Sequence, residues 1–429
     1  MRVPRVALIN LGCRVNRVET DLIAKQLEDA GCSLVDPEQA DAIVVNTCAV
    51  TGEAQAKTRK AVRHAANLPQ EPTVIATGCV AVLFASELTE LGSNVVVERD
   101  KSTVSRRVLD VLGSKDALRL DKTACAASST PTPTGRTRPG IKVQDGCDYR
   151  CSYCIVWKAR GPSTSVPANE VLRSVVESVE RGAHEVVLTG INLGRWRSQG
   201  DDGLPAGTRL DGLLRHLLER TSIDRIRISS IEPPDVDASL LRLMGSANGR
   251  IAPFLHICLQ SGCDQTLSRM RRPYNTDLFR RVVEEARSTV PHVAIGTDVI
   301  VGFPGETDEE FAQSISFCKA MSFARMHVFR YSRRPGTEAA LAKNQIDART
   351  MAVRASLMRD MATESRLSCA QGLDGCRDHV LVQYAGKAVN GQLFDVGVDA
   401  GIPVGSWVDV TQSWRGDRLV GEPLRATRA

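Results

Sequence analysis

The stretch "DGCDYRCSYC", Asp145 to Cys154, holds Cys147, Cys151 and Cys154 in a C-x3-C-x2-C spacing. Zinc sites and ordinary cubane iron–sulfur clusters take four protein ligands. Three thiolates hold three irons of a [4Fe–4S] cube and leave the fourth iron open to a small molecule, as catalytic metals keep an open position. The alternatives are three buried thiols, or a partial zinc site with a remote fourth ligand.

Outward from that stretch, helical and strand patterns alternate. Downstream, "ANEVLRSVVESVERGAHEVVLTG" is an amphipathic helix running into a strand, and "RIRISSIEP", "PFLHICLQSG", "HVAIGTDVIVGFPGET" and "ARMHVFRYS" are further strands. About six βα units fit a full or partial parallel barrel, whose chemistry sits at the carboxyl ends of its strands. Cys147 falls just past the first of them. Upstream, "VALINLGC", "AIVVNTC" and "TVIATGC" are apolar strands separated by helices, which predicts a second parallel sheet. Between the two, residues 121–140 are rich in Thr, Pro and small residues and read as a linker. From about Gly375 the chain turns to short alternating strands parted by glycines, a small all-β unit. The expected fold is therefore α/β: a parallel αβα domain over 1–120, a partial (β/α) barrel over 141–370 and an all-β domain over 371–429.

Composition narrows the function. The 429 residues carry a net charge of +5, which permits a nucleic-acid partner without demanding one. No apolar run reaches the length of a membrane span, and the start of the chain reads as a strand, so the expectation is a cytoplasmic protein with no membrane partner. Thirteen cysteines, an odd number without an export signal, argue against a disulfide framework. Cys13, Cys48 and Cys79 each end one of the N-terminal strands. In a parallel sheet these ends share one edge, so three cysteines distant in sequence can meet there, with Gly12 and Gly78 allowing close approach. A second three-cysteine cluster and three buried strand-end thiols both fit the pattern.

C-x3-C-x2-C with Tyr153 directly before the last cysteine resembles the signature of the radical S-adenosylmethionine (SAM) superfamily. "VVLTG", "LQSG" and "IGTDVIVGFPGE" follow in that superfamily's order. With "LGCRVNRVETD", "VVNTCAVTGEA" and "ATGC" before them and "VFRYSRRPGT" after, the chain is identified along nearly its whole length as a member of the methylthiotransferase family. Within it, "LTGINLG" followed by "RISSIEP" is most similar to the MtaB-type branch. The resemblance implies two [4Fe–4S] clusters, one on Cys147, Cys151 and Cys154 that binds SAM, and an auxiliary one on Cys13, Cys48 and Cys79. It implies SAM contacts at Tyr153, Thr189, Gly190, Gln260, Ser261, Thr297 and Asp298, and a C-terminal TRAM domain. Members replace a C–H hydrogen with a methylthio group by way of a 5′-deoxyadenosyl radical. For this branch the implied substrate is carbon 2 of N6-threonylcarbamoyladenosine at tRNA position 37. Two close relatives act on isopentenyladenosine in tRNA and on a ribosomal-protein aspartate, and a non-catalytic RNA-binding iron–sulfur protein is the reading from a different class. The implied partners are tRNA and a flavodoxin- or ferredoxin-type electron donor; the sequence names no sulfur donor.

Two departures from the family pattern stand out. "IVWKARG" follows Cys154 where a Pro and an aromatic are usual, and "ICLQSGCD" places Cys258 and Cys263 where a Pro and a Ser are expected. For RNA, Arg271 and Arg272 of "RMRRPY" are the expected phosphate contacts, with Arg330, Arg333 and Arg334 a second basic stretch. Trp157, Tyr274 and Trp196 are the aromatics on which a base could stack. From Cys376 onward the tail has no net charge, so an RNA role for it rests on the resemblance.

Overall fold

The computed structural model describes residues 3–113 and 136–424, so most of the expected linker lies outside the described residues. The N-terminal sheet is parallel throughout, in the order Ser33–Leu34, Arg5–Asn10, Ala42–Thr47, Thr73–Gly78, Val95–Val97. Its central strand, Ala42–Thr47, is buried at every position, as its β-branched run requires of a strand covered on both faces. Ile43, Val45, Val74 and Ala76 pack against Val62 and Ala65 of helix Gly52–Ala66. The alternate residues Val44 and Ile75 pack against Ile23 and Leu27 of helix Arg14–Asp29 and against Val104 and Val108. The result is three layers. Asn10 lies opposite Asn46 and Thr47 opposite Gly78, so the three middle strands end level and deliver Cys13, Cys48 and Cys79 to one edge.

The second unit is a parallel series: Gly140–Lys142, Glu185–Thr189, Arg225–Ile228 continued past Ser229 by Ser230–Ile231, Phe254–Ile257, Ala294–Val301 and Arg325–Arg330. Among the described residues no pairing joins the first strand of this series to the last, so the barrel is open along one side. Helix Arg14–Asp29 packs on the first strand beside this gap. The long helix Ala348–Gln371 leads to a closed five-stranded barrel in the order Arg377–Tyr384, Lys387–Val389, Asp395–Gly397, Arg418–Pro423, Trp407–Arg415. Both the partial parallel barrel and the small all-β unit follow the sequence expectation. Among the described residues no helix is long and apolar enough to cross a membrane.

The two barrels are joined by buried charge. Arg227 bonds to Glu185 at 2.7 Å and donates to the carbonyls of Gly391 and Asn390 at 2.9 and 3.1 Å. Arg225 reaches Asp378 at 3.1 Å and lies over the Trp407 ring. Burial pushes the Glu185 carboxyl's proton affinity up, but Arg227, Arg225 and Arg138 outweigh it and hold it below the usual carboxylate range. Glu185→Ala strands two buried guanidinium groups, so we expect a loss of ~3–5 kcal/mol of stability, the cost of breaking a buried pair. Urea unfolding followed by circular dichroism measures it; a loss under ~1 kcal/mol would show that the pairs are effectively solvated.

Candidate active site

Cys147, Cys151 and Cys154 lie in the loop after strand Gly140–Lys142, at the carboxyl end of the barrel. The loop is pinned on both sides. Gly146 has φ +70°, and a Cβ there would fall 1.8 Å from the carbonyl oxygen of Pro162, so no other residue fits the turn. Ser152 donates through its backbone N–H to Met270 O at 3.1 Å and through Oγ to Arg269 O at 2.7 Å. Arg272 donates to the Cys151 sulfur at 3.1 Å and to the Tyr274 hydroxyl at 2.8 Å, and is ion-paired with Glu232. Asn192 directs its amide at the Cys147 sulfur, 3.7 Å away. Burial pushes the Cys154 thiol up to about 12, helped by Cys151 and Cys147.

The second set is built as the strand ends predicted. Cys13 precedes helix Arg14–Asp29, Cys48 follows the central strand, and Cys79 opens the short helix Cys79–Leu83. Gly78, at φ +93°, lies so close that a Cβ would fall 2.4 Å from Thr47 O. The Cys13 thiol donates to Asn16 Oδ1 at 3.2 Å, and Asn16 in turn donates to Asn46 Oδ1 and Thr47 O at 2.9 and 2.8 Å. Burial, with Cys13 and Cys79 adding to it, lifts the Cys48 thiol to about 11. Arg334, 2 % exposed, faces Cys48 with Nε and Nη2 unsatisfied.

Both sets fit a cubane better than zinc. Zn–S bonds of ~2.3 Å put sulfurs about 3.8 Å apart. Among the described residues the one trio of donor atoms all within 4.8 Å is His256, Asp298 and His327; neither cysteine trio is that tight. The twelve described cysteines are all free thiols. Each trio also has a buried guanidinium beside it, Arg272 or Arg334, which suits the negative charge of a thiolate-ligated cluster. When bound, such clusters and SAM supply one-electron chemistry and sulfur.

A cavity of about 470 Å³ is lined by Cys13 of the second set and by Cys147, Cys151 and Cys154; Cys48 and Cys79 do not line it. Of the expected SAM contacts, Tyr153, Thr189, Gly190, Gln260 and Asp298 line this cavity. Ser261 and Thr297 do not. Thr297 Oγ1 donates to Ile257 O at 2.7 Å between strands, and Ser261 Oγ accepts from the Cys263 N–H at 3.3 Å. Asp298 pairs with His256 at 3.2 Å.

The RNA residues sort differently from the sequence expectation. Arg271 is exposed and paired with Glu338 at 2.8 Å. Arg272 turns inward, its side chain 3 % exposed, because Glu232 and Tyr274 draw it to the cysteine loop; it is not a surface phosphate contact. Arg334 is likewise interior, while Arg330 and Arg333 stay exposed. Trp196 is core, donating to Val166 O at 2.8 Å, and Tyr274 is buried with its hydroxyl on Cys258 O at 2.6 Å. Trp157 is partly exposed beneath Arg150.

Glu19 was not singled out by sequence. It is buried on helix Arg14–Asp29 and accepts from Lys142 at 3.0 Å, Arg160 at 2.9 Å and Lys101. Arg160 also reaches Asp145 at 2.9 Å and Asn16 at 3.0 Å. One network therefore links the residue that holds Cys13 to the residue that opens the Cys147 loop. A second cavity of about 370 Å³, lined by Cys79, Glu19, Lys142 and Arg160, lies along it.

Residues 141–318 match the Radical SAM superfamily, and residues 5–97 match the uncharacterized protein family UPF0004. The threonylcarbamoyladenosine tRNA methylthiotransferase MtaB of Thermotoga maritima is 33% identical, over 88% of this chain and 86% of that protein. The tRNA-2-methylthio-N(6)-dimethylallyladenosine synthase of Sphingopyxis alaskensis is 31% identical over 97% of both. In fold, the chain is similar to the radical S-adenosylmethionine methyltransferase TsrM from Kitasatospora setae, with a TM-score of 0.55 and 16% identity, covering 79% of this chain and 75% of that one. The superfamily match spans most of the barrel, the UPF0004 match spans the sheet that ends in Cys13, Cys48 and Cys79, and the full-length likeness ties them together: the chain belongs to the radical SAM methylthiotransferase family, enzymes that use SAM and [4Fe–4S] clusters.

Proposed function

We propose that this enzyme is a tRNA methylthiotransferase acting on carbon 2 of N6-threonylcarbamoyladenosine beside the anticodon, with the SAM cluster on Cys147, Cys151 and Cys154 and the auxiliary cluster on Cys13, Cys48 and Cys79. The observation that carries the reading is the single cavity bordered by Cys13 and by all three radical-motif cysteines. A base seated there would lie against the radical-motif loop and against Cys13, the nearest edge of the second set. Thr189, Gly190, Gln260 and Asp298 form the wall on which SAM is oriented, and Arg272, held by Glu232, fixes the Cys151 sulfur. The reductant is of flavodoxin or ferredoxin type. Access for RNA is supported by a groove of about 520 Å³ that shares Arg325, His327 and Leu393 with the cavity and is also lined by Arg138, Arg359 and Arg366. Such a groove neutralises phosphates next to a base drawn inward.

A second reading, action on N6-dimethylallyladenosine, is favoured by the relative of that name matching over 97% of the chain. Mass spectrometry of tRNA nucleosides from a strain lacking the gene decides between them. Loss of methylthio-threonylcarbamoyladenosine, restored with the gene, is the expected result. Loss of the methylthio-dimethylallyl nucleoside instead would overturn it. Replacing Cys13, Cys48 and Cys79 by Ala is expected to leave SAM cleavage and stop sulfur insertion; continued insertion would refute the auxiliary assignment.

A further inference from the structure

Most charges around the cavity are spoken for. Arg272 is paired with Glu232, and Asp298 with His256 at 3.2 Å. Two guanidinium groups are not. Arg14, directly after Cys13, and Arg325, at the start of the last barrel strand, both line the cavity, and neither makes a hydrogen bond or ion pair within the described structure. Arg14 is exposed and Arg325 half-buried, so both can be reached by a ligand. Arg138 and Arg227 stand near Arg14 and Arg366 near Arg325, so further positive charge surrounds the pair; the acid near Arg14, Glu185, is itself bonded to Arg227 at 2.7 Å. The acid that most attracts Arg325, Asp395, is bonded to Lys387 at 3.1 Å. Two like charges on one cavity with no bonded counter-ion repel each other, and an anionic ligand group relieves that repulsion.

The two arginines come from different domains and meet at the open side of the barrel, where the N-terminal helix packs against the first strand. Arg325 also borders the basic groove outside. A base entering from that groove presents its N6 substituent to Arg14 and Arg325. A threonylcarbamoyl group ends in a carboxylate; a dimethylallyl group has no charge. Guanidinium forks match carboxylates in geometry as well as charge.

We propose that Arg14 and Arg325 form a carboxylate receptor that selects an adenosine whose N6 substituent carries a free carboxylate. This rests on the tRNA reading above and names the part of the site that sets its substrate. The same arginines could instead take a backbone phosphate, and the experiment separates the two sources.

The test uses the full-length, cluster-loaded enzyme and three anticodon stem-loops identical except at the target adenosine: threonylcarbamoyl, the same group as its methyl ester, and unmodified. Binding is measured for all three and methylthiolation for the first two, with wild type, Arg14→Gln, Arg325→Gln and Arg325→Lys, iron per chain confirming that each is folded and loaded. Wild type should prefer the free acid over the ester by ~10–100-fold, the value of a charge-assisted hydrogen bond. Each Gln variant should erase that preference, losing far more affinity for the free acid than for the ester or the unmodified stem-loop, and Arg325→Lys should restore part of it. Equal weakening toward all three RNAs would make the arginines phosphate contacts and overturn the proposal. A wild type that modifies the threonylcarbamoyl RNA with no acid-over-ester preference would overturn it while leaving the function standing. A wild type that cleaves SAM but modifies neither the threonylcarbamoyl RNA nor its ester would remove both.

Discussion

Replacing Cys147, Cys151 and Cys154 together by Ala is expected to abolish reductive cleavage of SAM and to leave roughly half of the iron, two equal cubes being reduced to one. The three positions occupy one loop whose turn admits only Gly146 and whose sulfurs are approached by Arg272 and Asn192. Among the described residues of the barrel no second trio stands in for them: Cys258 lines the same cavity but is a single thiol, and Cys263, buried, donates to Gln265 at 3.0 Å. The remaining iron should sit on the N-terminal domain, whose core takes in Ile155 just past the loop but none of the three cysteines. Iron determination and chromatographic assay of 5′-deoxyadenosine check both halves. Full iron content in the triple variant would mean that the cluster is held elsewhere; complete loss would mean that the two sites assemble as one.

The second large effect lies at Glu19. Glu19→Gln is expected to cost ~3–5 kcal/mol, the figure for breaking a buried ion pair, because Lys142 and Arg160 lose their shared carboxylate and Lys101 loses its partner. Burial alone would raise this carboxyl's pKa, but Lys101, Arg160 and Lys142 hold it well below the usual range. A depressed carboxyl stabilises the fold above its unfolded pKa, and that contribution fades as pH falls below it toward the lower folded value. The gap between wild type and variant should therefore be constant from about pH 8 to pH 5 and shrink below about pH 4. Thermal unfolding across that range measures it. A gap that already closes near pH 6 would show that Glu19 is not ionised as drawn. Because Glu19 bridges the N-terminal helix to the barrel, sulfur insertion should suffer more than SAM cleavage.

The sequence carried the chemistry that is local or periodic. A ligand loop must place its cysteines within a few residues, so Cys147, Cys151 and Cys154 announce themselves. Cys13, Cys48 and Cys79 were legible because apolar runs mark strands and parallel strands end on one edge, and the observed register makes those ends level. What sequence did not show is which way a polar side chain turns. Arg271 and Arg272 are neighbours, yet one is paired at the surface and the other is drawn in by Glu232, forty residues away in sequence. Thr297 and Ser261 sit in motifs that imply cofactor contacts, but each hydroxyl bonds to the backbone and neither lines the cavity. Glu19, Arg14 and Arg325 went unnoticed because their partners, or lack of partners, arise between domains. One signal was available for the last: Arg325 and His327 are two apart on a strand, so they share a face.

The cavity bordered by the radical-motif cysteines and Cys13 has a kinetic meaning. One reactive group confined to about 470 Å³ is present at roughly 3–4 M, before any gain from orientation. Under the proposed function, a carbon radical formed at that spot would face its sulfur at a concentration far above that of any cellular thiol. Competing reactions with solvent or bystander thiols must then win against a partner that is always within reach, so fidelity comes from confinement and does not require the intermediate to be long-lived.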